Sequence, residues 1–396
     1  MSTSDNLQID TKNLWPSNVE RDFVDNLQAI VARDIAPEGD RIDREDIYPT
    51  EIVKSLAKHG YNTLTLEPEF GGGGLSFMHA ASAFEEISVA SAATGICLIT
   101  IYQAQIMMRL FGQESLKQKY LPQFAEGLIC AYALTESNHG SDITKLDTKA
   151  VHDSNEWVIN GEKHFITSSM AAEFYILLAE TKVGVSVFAV PADCEGVSKY
   201  TGENSSTFGL RNGPHMNVIF DNVRVPDDHM IGTEGKGVRQ AVSVLNYSRT
   251  LAGAVSLGVA RAAFEGALAF ARDRKAFNQR VVEFQGIQWY LADMLTEIDA
   301  SRLLIHRAAQ SLDSGEQVPR WGSEAKYKAA AVATYVASQA AQICGAYGIM
   351  ENAPFGRYIR DAKAYQVAGG SAEILKNTIA KCLLPLSGLQ DGKGLR

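Results

Sequence analysis

Near the C-terminus the chain reads Arg360-Asp361-Ala362-Lys363-Ala364-Tyr365-Gln366-Val367-Ala368-Gly369-Gly370-Ser371-Ala372-Glu373-Ile374. Gly369 and Gly370 lack a Cβ, so backbone here can approach a ligand more closely than side chains elsewhere permit. Ser371 is placed to cap a helix, its hydroxyl accepting from amides that a first turn leaves unpaired. A plain helix–loop–helix corner uses the same residues, so this stretch alone leaves both readings open. A second cluster, Gly71-Gly72-Gly73-Gly74, is not followed by Lys-Ser/Thr, which excludes a phosphate loop. The histidines and cysteines are dispersed, without H-E-x-x-H or C-x-x-C, and no metal is expected.

The elements that carry this loop follow from periodicity. From Glu20 to Asp34, Phe23, Leu27, Ile30 and Val31 recur at helical spacing, and Pro49-Thr50 starts a helix that Gly60 ends. Helical stretches continue through Phe84–Ser91 and Tyr102–Phe111, and Ser115 begins another. After Pro122 the texture changes. Asn160-Gly161 reads as a hairpin turn between β-rich arms, and Phe174–Ala179, Val185–Val190 and Asn217–Val223 read as further strands. Helical periodicity returns near Gly237, with Ile287, Leu291, Met294 and Ile298 on one stripe and an Ala-rich, closely packed stretch at Lys326–Cys344. No G-x-G-x-x-G follows a strand, which excludes a Rossmann-held dinucleotide. The expected division is an N-terminal helical domain over 1–125, a β domain over 126–235 and a C-terminal helical domain over 236–396.

Composition narrows the function class. Apolar residues make up 46% and charged residues 21%, as in ordinary globular proteins. Lys+Arg 37 against Asp+Glu 46 gives a net charge of −9 with no basic run, so nucleic acid is not an expected partner. The start, Met1-Ser2-Thr3-Ser4-Asp5, lacks the charged-then-apolar pattern of an export signal, and no continuous apolar run approaches ~18 residues, so neither export nor membrane association is expected. Cys97, Cys130, Cys194, Cys344 and Cys382 are odd in number and scattered, which predicts reduced thiols in the cytoplasm.

Four ordered stretches resemble the acyl-CoA dehydrogenase superfamily of flavoproteins along essentially the whole chain. Tyr132-Ala133-Leu134-Thr135-Glu136-Ser137-Asn138-His139-Gly140-Ser141-Asp142 is similar to the pattern A-x-T-E-P-x-A-G-S-D. The others are Asn160-Gly161-x-Lys163-x-Phe165-Ile166-Thr167, then Arg274-Lys275-Ala276-Phe277 with Phe284-Gln285, and finally Arg360–Lys363 with the opening loop. The resemblance implies an α+β fold of N-terminal helical bundle, middle β-barrel and C-terminal four-helix bundle, with FAD as cofactor. It places Tyr132, Leu134, Thr135, Ser141, Phe165, Thr167, Ser371 and Glu373 at the flavin of their own subunit. It assigns Arg274, Gln285, Gln342, Ile343 and Gly345 to a site on a neighbouring subunit's FAD, hence a homotetramer, and counts Phe277 among the cofactor contacts. Ser141, Ile96, Asn246, Arg249, Gly369 and Gly370 match contacts to a thioester, carried on CoA or an acyl carrier. Electron-transfer flavoprotein or O2 is the implied electron acceptor.

The departures matter as much. Family dehydrogenases use a Glu to take the weakly acidic α-proton while hydride leaves the β-carbon. Its two known positions correspond here to Gly369 and Ser248, and neither residue can act as a carboxylate base. Four accounts stay open: a base moved elsewhere, with Tyr247, Tyr365 or His139 as substitutes; a deliberate replacement at 369; a noncatalytic relative; or different flavin chemistry. Within the last, a desulfinase-type reaction is disfavoured because Ile96 stands where that branch holds an acidic tail, and burying an unpaired charge is costly. Flavin-dependent oxygenation of an apolar or cyclic acyl-CoA is the expectation, with a dehydrogenase using a relocated base as its main rival.

Overall fold

A computed structural model describes residues 19–202, 205–316 and 318–384. The first region holds six helices: α1 (Arg21–Ile30, continuing as a π-turn to Ile35), α2 (Gly39–Glu45), α3 (Thr50–Lys58), α4 (Phe77–Ala90), α5 (Ala92–Phe111) and α6 (Glu114–Ala125). The expected Pro122 boundary lies inside α6. Amphipathic α1 and α3 bury one face, through Val24, Leu27 and Ile30 and through Ile52, Val53 and Leu56. Ser76 and Ser91 cap α4 and α5 by accepting from His79 N and Thr94 N. Both helices are buried nearly all round, because they lie against the C-terminal bundle and, for α5, the sheet.

The middle region is one eight-stranded sheet: β1 (Cys130–Ala133), β2 (Lys149–Asp153), β3 (Glu156–Ile166), β4 (Phe174–Glu180), β5 (Val185–Pro191), β6 (Val197–Tyr200), β7 (Met216–Pro226) and β8 (Met230–Ile231). Strand order is β6-β7-β3-β2-β4-β5-β8, with β1 parallel to β4. One face encloses its own core of Trp157, Tyr175, Phe188 and Phe220. The other face, with Ile176, Leu178, Val187 and Ala189, joins the helices. Asn160-Gly161 is not the hairpin turn that its sequence suggests. β3 runs straight through it with a register shift against β7, and a Cβ on Gly161 would meet Thr148 Cα at 2.5 Å. The turn is Ser154-Asn155, with Ser154 at φ 62°. Gly161 thus serves close strand approach and a bulge.

The last region comprises α7 (Gly237–Asp273), a ribbon of β9 (Lys275–Ala276) and β10 (Gln279–Arg280), α8 (Gln285–Asp313), α9 (Pro319–Cys344), α10 (Phe355–Val367) and α11 (Ala372–Leu383). Helices α7 to α10 form the bundle, and α11 lies along α9. Small residues let α7 and α9 close on each other: a Cβ on Gly322 would stand 2.8 Å from Asn246 O. Arg261 of α7 bonds Glu85 and Glu86 of α4, and Arg302 of α8 shares Glu85, pinning bundle to N-terminal region through buried charges. By length and composition α5 and α7 could cross a membrane, but 78% and 72% of their most apolar windows are buried in this fold.

Candidate active site

Two of the signature stretches are sewn together beside the sheet. His164 N donates to Thr135 O (2.8 Å), and Lys163 Nζ donates to Leu134 O (3.1 Å) and Glu136 Oε1 (2.7 Å). Glu136 also accepts from Thr148 N at 3.0 Å and from Asp147 N. Burial opposes charge here, yet these donors, Lys163 first, hold the Glu136 carboxyl below its usual range. Burial pushes Lys163 down to about 8 against the pull of Glu136. Tyr132 Oη is buried without a partner among the described residues, Phe165 is 56% exposed and held at φ 56°, and Thr167 is half-buried. Ser141 is exposed on the loop that ends the first stretch. Glu136, His139 and Asp147 bring ligand atoms within 4.8 Å of one another. Both Glu136 oxygens are already engaged, however, so the cluster reads as hydrogen-bonded structure.

The glycine loop lies between α10 and α11. Ser371 caps α11, accepting from Ile374 N. Gly369 and Gly370 sit at φ 68° and 101°, the left-handed region that glycine occupies without strain. A Cβ on Gly369 would meet nothing within 4 Å; one on Gly370 would stand 3.7 Å from Arg249 Nη2. Lys326 Nζ donates to Gly370 O at 2.6 Å, and Arg249 Nη1 reaches Ser323 Oγ at 3.4 Å. Ser248 Oγ accepts from Gln103 Nε2 (3.2 Å) and faces Leu245 O at 3.4 Å. Positions 248 and 369 therefore lie on elements that come together where Arg249 faces Gly370, and neither carries a carboxylate.

Helix α5 bridges the two halves. Ile96, Ile99, Thr100 and Gln103 follow one helical stripe and retain 5–9% exposure, while Cys97, Leu98, Ile101 and Tyr102 are at 0%. Thr100 Oγ1 lies 3.2 Å from Ser168 Oγ, the residue after Thr167, and Gln103 reaches Ser248. This stripe runs from the Thr167 corner to Ser248. Thr100, Gln103, Ser168 and Lys326 were not singled out from sequence; Thr100 and Gln103 share the helical spacing of Ile96, which is the signal that could have found them.

The three candidates for a relocated base sit in different surroundings. Tyr365 is 2% exposed, and burial pushes its phenol well above the ordinary range. Tyr247 is half-buried with its ring 5.1 Å from that of Phe77. His139 faces Asp147, Nε2 to Oδ1 3.4 Å. Asn246 is buried on α7 with Oδ1 unpartnered among the described residues, and Glu373 is exposed in the first turn of α11.

Arg274, Phe277, Gln285, Gln342, Ile343 and Gly345 form a separate group. Phe270 stacks on Tyr347 (5.5 Å, 10° between planes), bringing the end of α7 to the turn after α9. Arg274 and Gln285 are exposed there, and Phe277 is 91% exposed. Arg249 and Arg274 are 25 residues apart along α7 and its cap, roughly 37 Å at helical rise.

Three family models match the chain in order: the acyl-CoA dehydrogenase N-terminal domain over residues 17–128, the middle domain over 131–223 and the C-terminal domain over 235–384. The chain belongs to the acyl-CoA dehydrogenase family. It is 35% identical over 359 residues to an acyl-CoA dehydrogenase of Bacillus subtilis, covering 89% of this chain and 94% of that one. It is 33% identical to a 3-(aryl)acrylate reductase of Clostridium sporogenes, covering 89% and 95%. Butyryl-CoA dehydrogenase from Megasphaera elsdenii superposes with a TM-score of 0.89 at 31% identity, covering 92% and 97%. As a member of this family the chain is an FAD-dependent acyl-CoA oxidoreductase. The residues present fit that cofactor: the unpartnered Tyr132 hydroxyl and the outward Phe165 ring, held in a backbone conformation that costs of order 1–2 kcal/mol for a non-glycine, suit a flat polar-edged group.

Proposed function

We propose that this acyl-CoA dehydrogenase-family enzyme carries out two-electron exchange with an acyl thioester without a protein carboxylate at the α-carbon. The observation that supports it is the pair of vacancies: Gly369 has no side chain, and the Ser248 hydroxyl is held between Gln103 and Leu245 O. When bound, FAD supplies the two-electron acceptor or donor. Tyr132, Leu134, Thr135, Phe165 and Thr167 hold its ring in this reading, stiffened by the Glu136–Lys163 bridge. Ser371 and Glu373 contribute from the head of α11, and the Gly369-Gly370 backbone closes over the thioester. Ile96 and Ile99 exclude water from the acyl chain. Thr100 and Gln103 orient polar atoms near the reacting carbons.

The wide separation of the Arg274 group from Gly370 supports a second chain as its target, and at least a dimer. Exposed Trp289, Leu303 and Ile349 on the bundle fit burial between copies, as a tetramer provides. Electron-transfer flavoprotein is the proposed acceptor.

A second reading, oxygenation of an apolar or cyclic acyl-CoA with O2 as co-reactant, rests on the same vacancies; similarity to dehydrogenases and a reductase ranks it second. The test begins with purified protein, which should be yellow and reducible; lack of flavin overturns both readings. Anaerobic mixing with saturated, unsaturated and α-activated acyl thioesters should change the flavin spectrum with at least one of them. Reductant-dependent incorporation of 18O2 into the acyl product would instead establish oxygenation.

A further inference from the structure

We propose that Arg249 and Lys326, the cations beneath the glycine loop, recognise an anionic substituent of the substrate, so that the enzyme takes acyl thioesters carrying a carboxylate on the carbon beside the thioester carbonyl. This rests on the thioester reading above. Lys326 is 0% exposed on α9 and Arg249 5% exposed on α7. Lys326 bonds the Gly370 carbonyl; Arg249 has the Ser323 hydroxyl at 3.4 Å, and its Nε is buried without a partner among the described residues. Neither forms an ion pair among those residues, whereas the other fully buried lysine, Lys163, lies 2.7 Å from a carboxylate. Two buried cations side by side without a counter-charge are costly unless an anion arrives.

The space for that anion is present. The point where a Gly370 Cβ would stand lies 3.7 Å from Arg249 Nη2, 4.0 Å from Nε and 3.7 Å from Leu375 Cδ2, and the corresponding point at Gly369 is open. A carboxylate there can close to charge-assisted hydrogen-bond distance with small shifts. Burial, then the neighbouring Arg249, pushes Lys326 down to about 7, and the opposing influence is exposed Glu373. An arriving anion reverses that imbalance. The anion belongs near the thioester and not at the acyl tail, because position 369 is where the family's base meets the α-carbon, and the tail side of the stripe is Ile96 and Ile99.

The experiment is anaerobic titration of the intact flavoprotein with methylmalonyl-CoA and isobutyryl-CoA, which share a branched shape and differ by the charged carboxylate. Flavin absorbance and calorimetry report binding. Methylmalonyl-CoA should bind at least about tenfold more tightly, and Arg249→Gln and Lys326→Met should each bring the ratio towards one. Gly369→Glu, which supplies an internal carboxylate, should do the same and keeps the test open should Arg249→Gln not fold. Equal binding of the two thioesters overturns the proposal, as does a preference that survives both cation variants. If neither they nor any other acyl thioester perturbs the flavin, the thioester reading itself fails and takes this one with it.

Discussion

Two fully buried lysines divide this molecule into a finished side and an unfinished one. Lys163 meets Glu136 at 2.7 Å, and both Glu136 oxygens accept further backbone amides. Lys326 meets a carbonyl, and beside the same loop Arg249 has no ion-pair partner among the described residues. The first arrangement is a closed polar network, which rigidifies a loop in one geometry and suits a resident cofactor. The second holds positive charge with no ion-paired carboxylate among the described residues, next to backbone bare of side chains. That is the electrostatics of a place that a transient ligand completes. In the proposed reading the contrast separates the flavin corner from the α-carbon side.

The comparison can be broken most forcefully at its finished end. Glu136→Ala leaves Lys163 as an uncompensated buried charge and strips acceptors from Asp147 N and Thr148 N. Loss of about 3–5 kcal/mol in urea unfolding, with loss of flavin on gel filtration, is expected. At the unfinished end, Gly369→Glu should raise desaturation of butyryl-CoA by about 10²–10⁴-fold, the usual yield of a positioned base. The φ of 68° costs the new side chain about 1–2 kcal/mol, visible as a lower Tm unless pairing with Arg249 and Lys326 offsets it.

Lys326→Met sharpens the contrast because it should cost little, within about 1 kcal/mol for one lost hydrogen bond. It should also alter pH dependence. The folded pKa of Lys326, about 7, lies below its ordinary 10.5, so the unfolded chain binds more protons between them. The Lys326 contribution therefore rises with pH from about 7 to 10.5, and that part of the rise should vanish in the variant. Paired denaturation curves across that range measure it. Smallest is Ser248→Ala: the hydroxyl joins Gln103 to α7 and carries no chemistry in this account, so turnover should stay within about threefold while stability falls by about 1 kcal/mol.

Much of this site was legible in sequence because its parts are local. The Ser371 cap and the strands from Phe174, Val185 and Asn217 follow from neighbours in the chain, and each has its structural counterpart; the reading of Gly369 and Ser248 as positions without a carboxylate comes from the family resemblance. Asn160-Gly161 misled because its turn chemistry is local whereas the demand on Gly161 comes from Thr148 across the sheet. Lys326 belongs by sequence to an Ala-rich helix: its importance lies in its hydrogen bond to Gly370, 44 positions away, and in the charge of Arg249, 77 positions away, which no periodicity encodes. Gln103 likewise is a polar residue of an apolar helix whose partner, Ser248 of α7, lies 145 positions away.

The central claim is that no protein carboxylate serves the α-carbon. It is tested most directly by rapid anaerobic mixing of the wild-type flavoprotein with butyryl-CoA beside Gly369→Glu. The account predicts that the wild-type flavin stays oxidised on the timescale in which the variant bleaches. Wild-type bleaching as fast as, or faster than, that of the variant would contradict it.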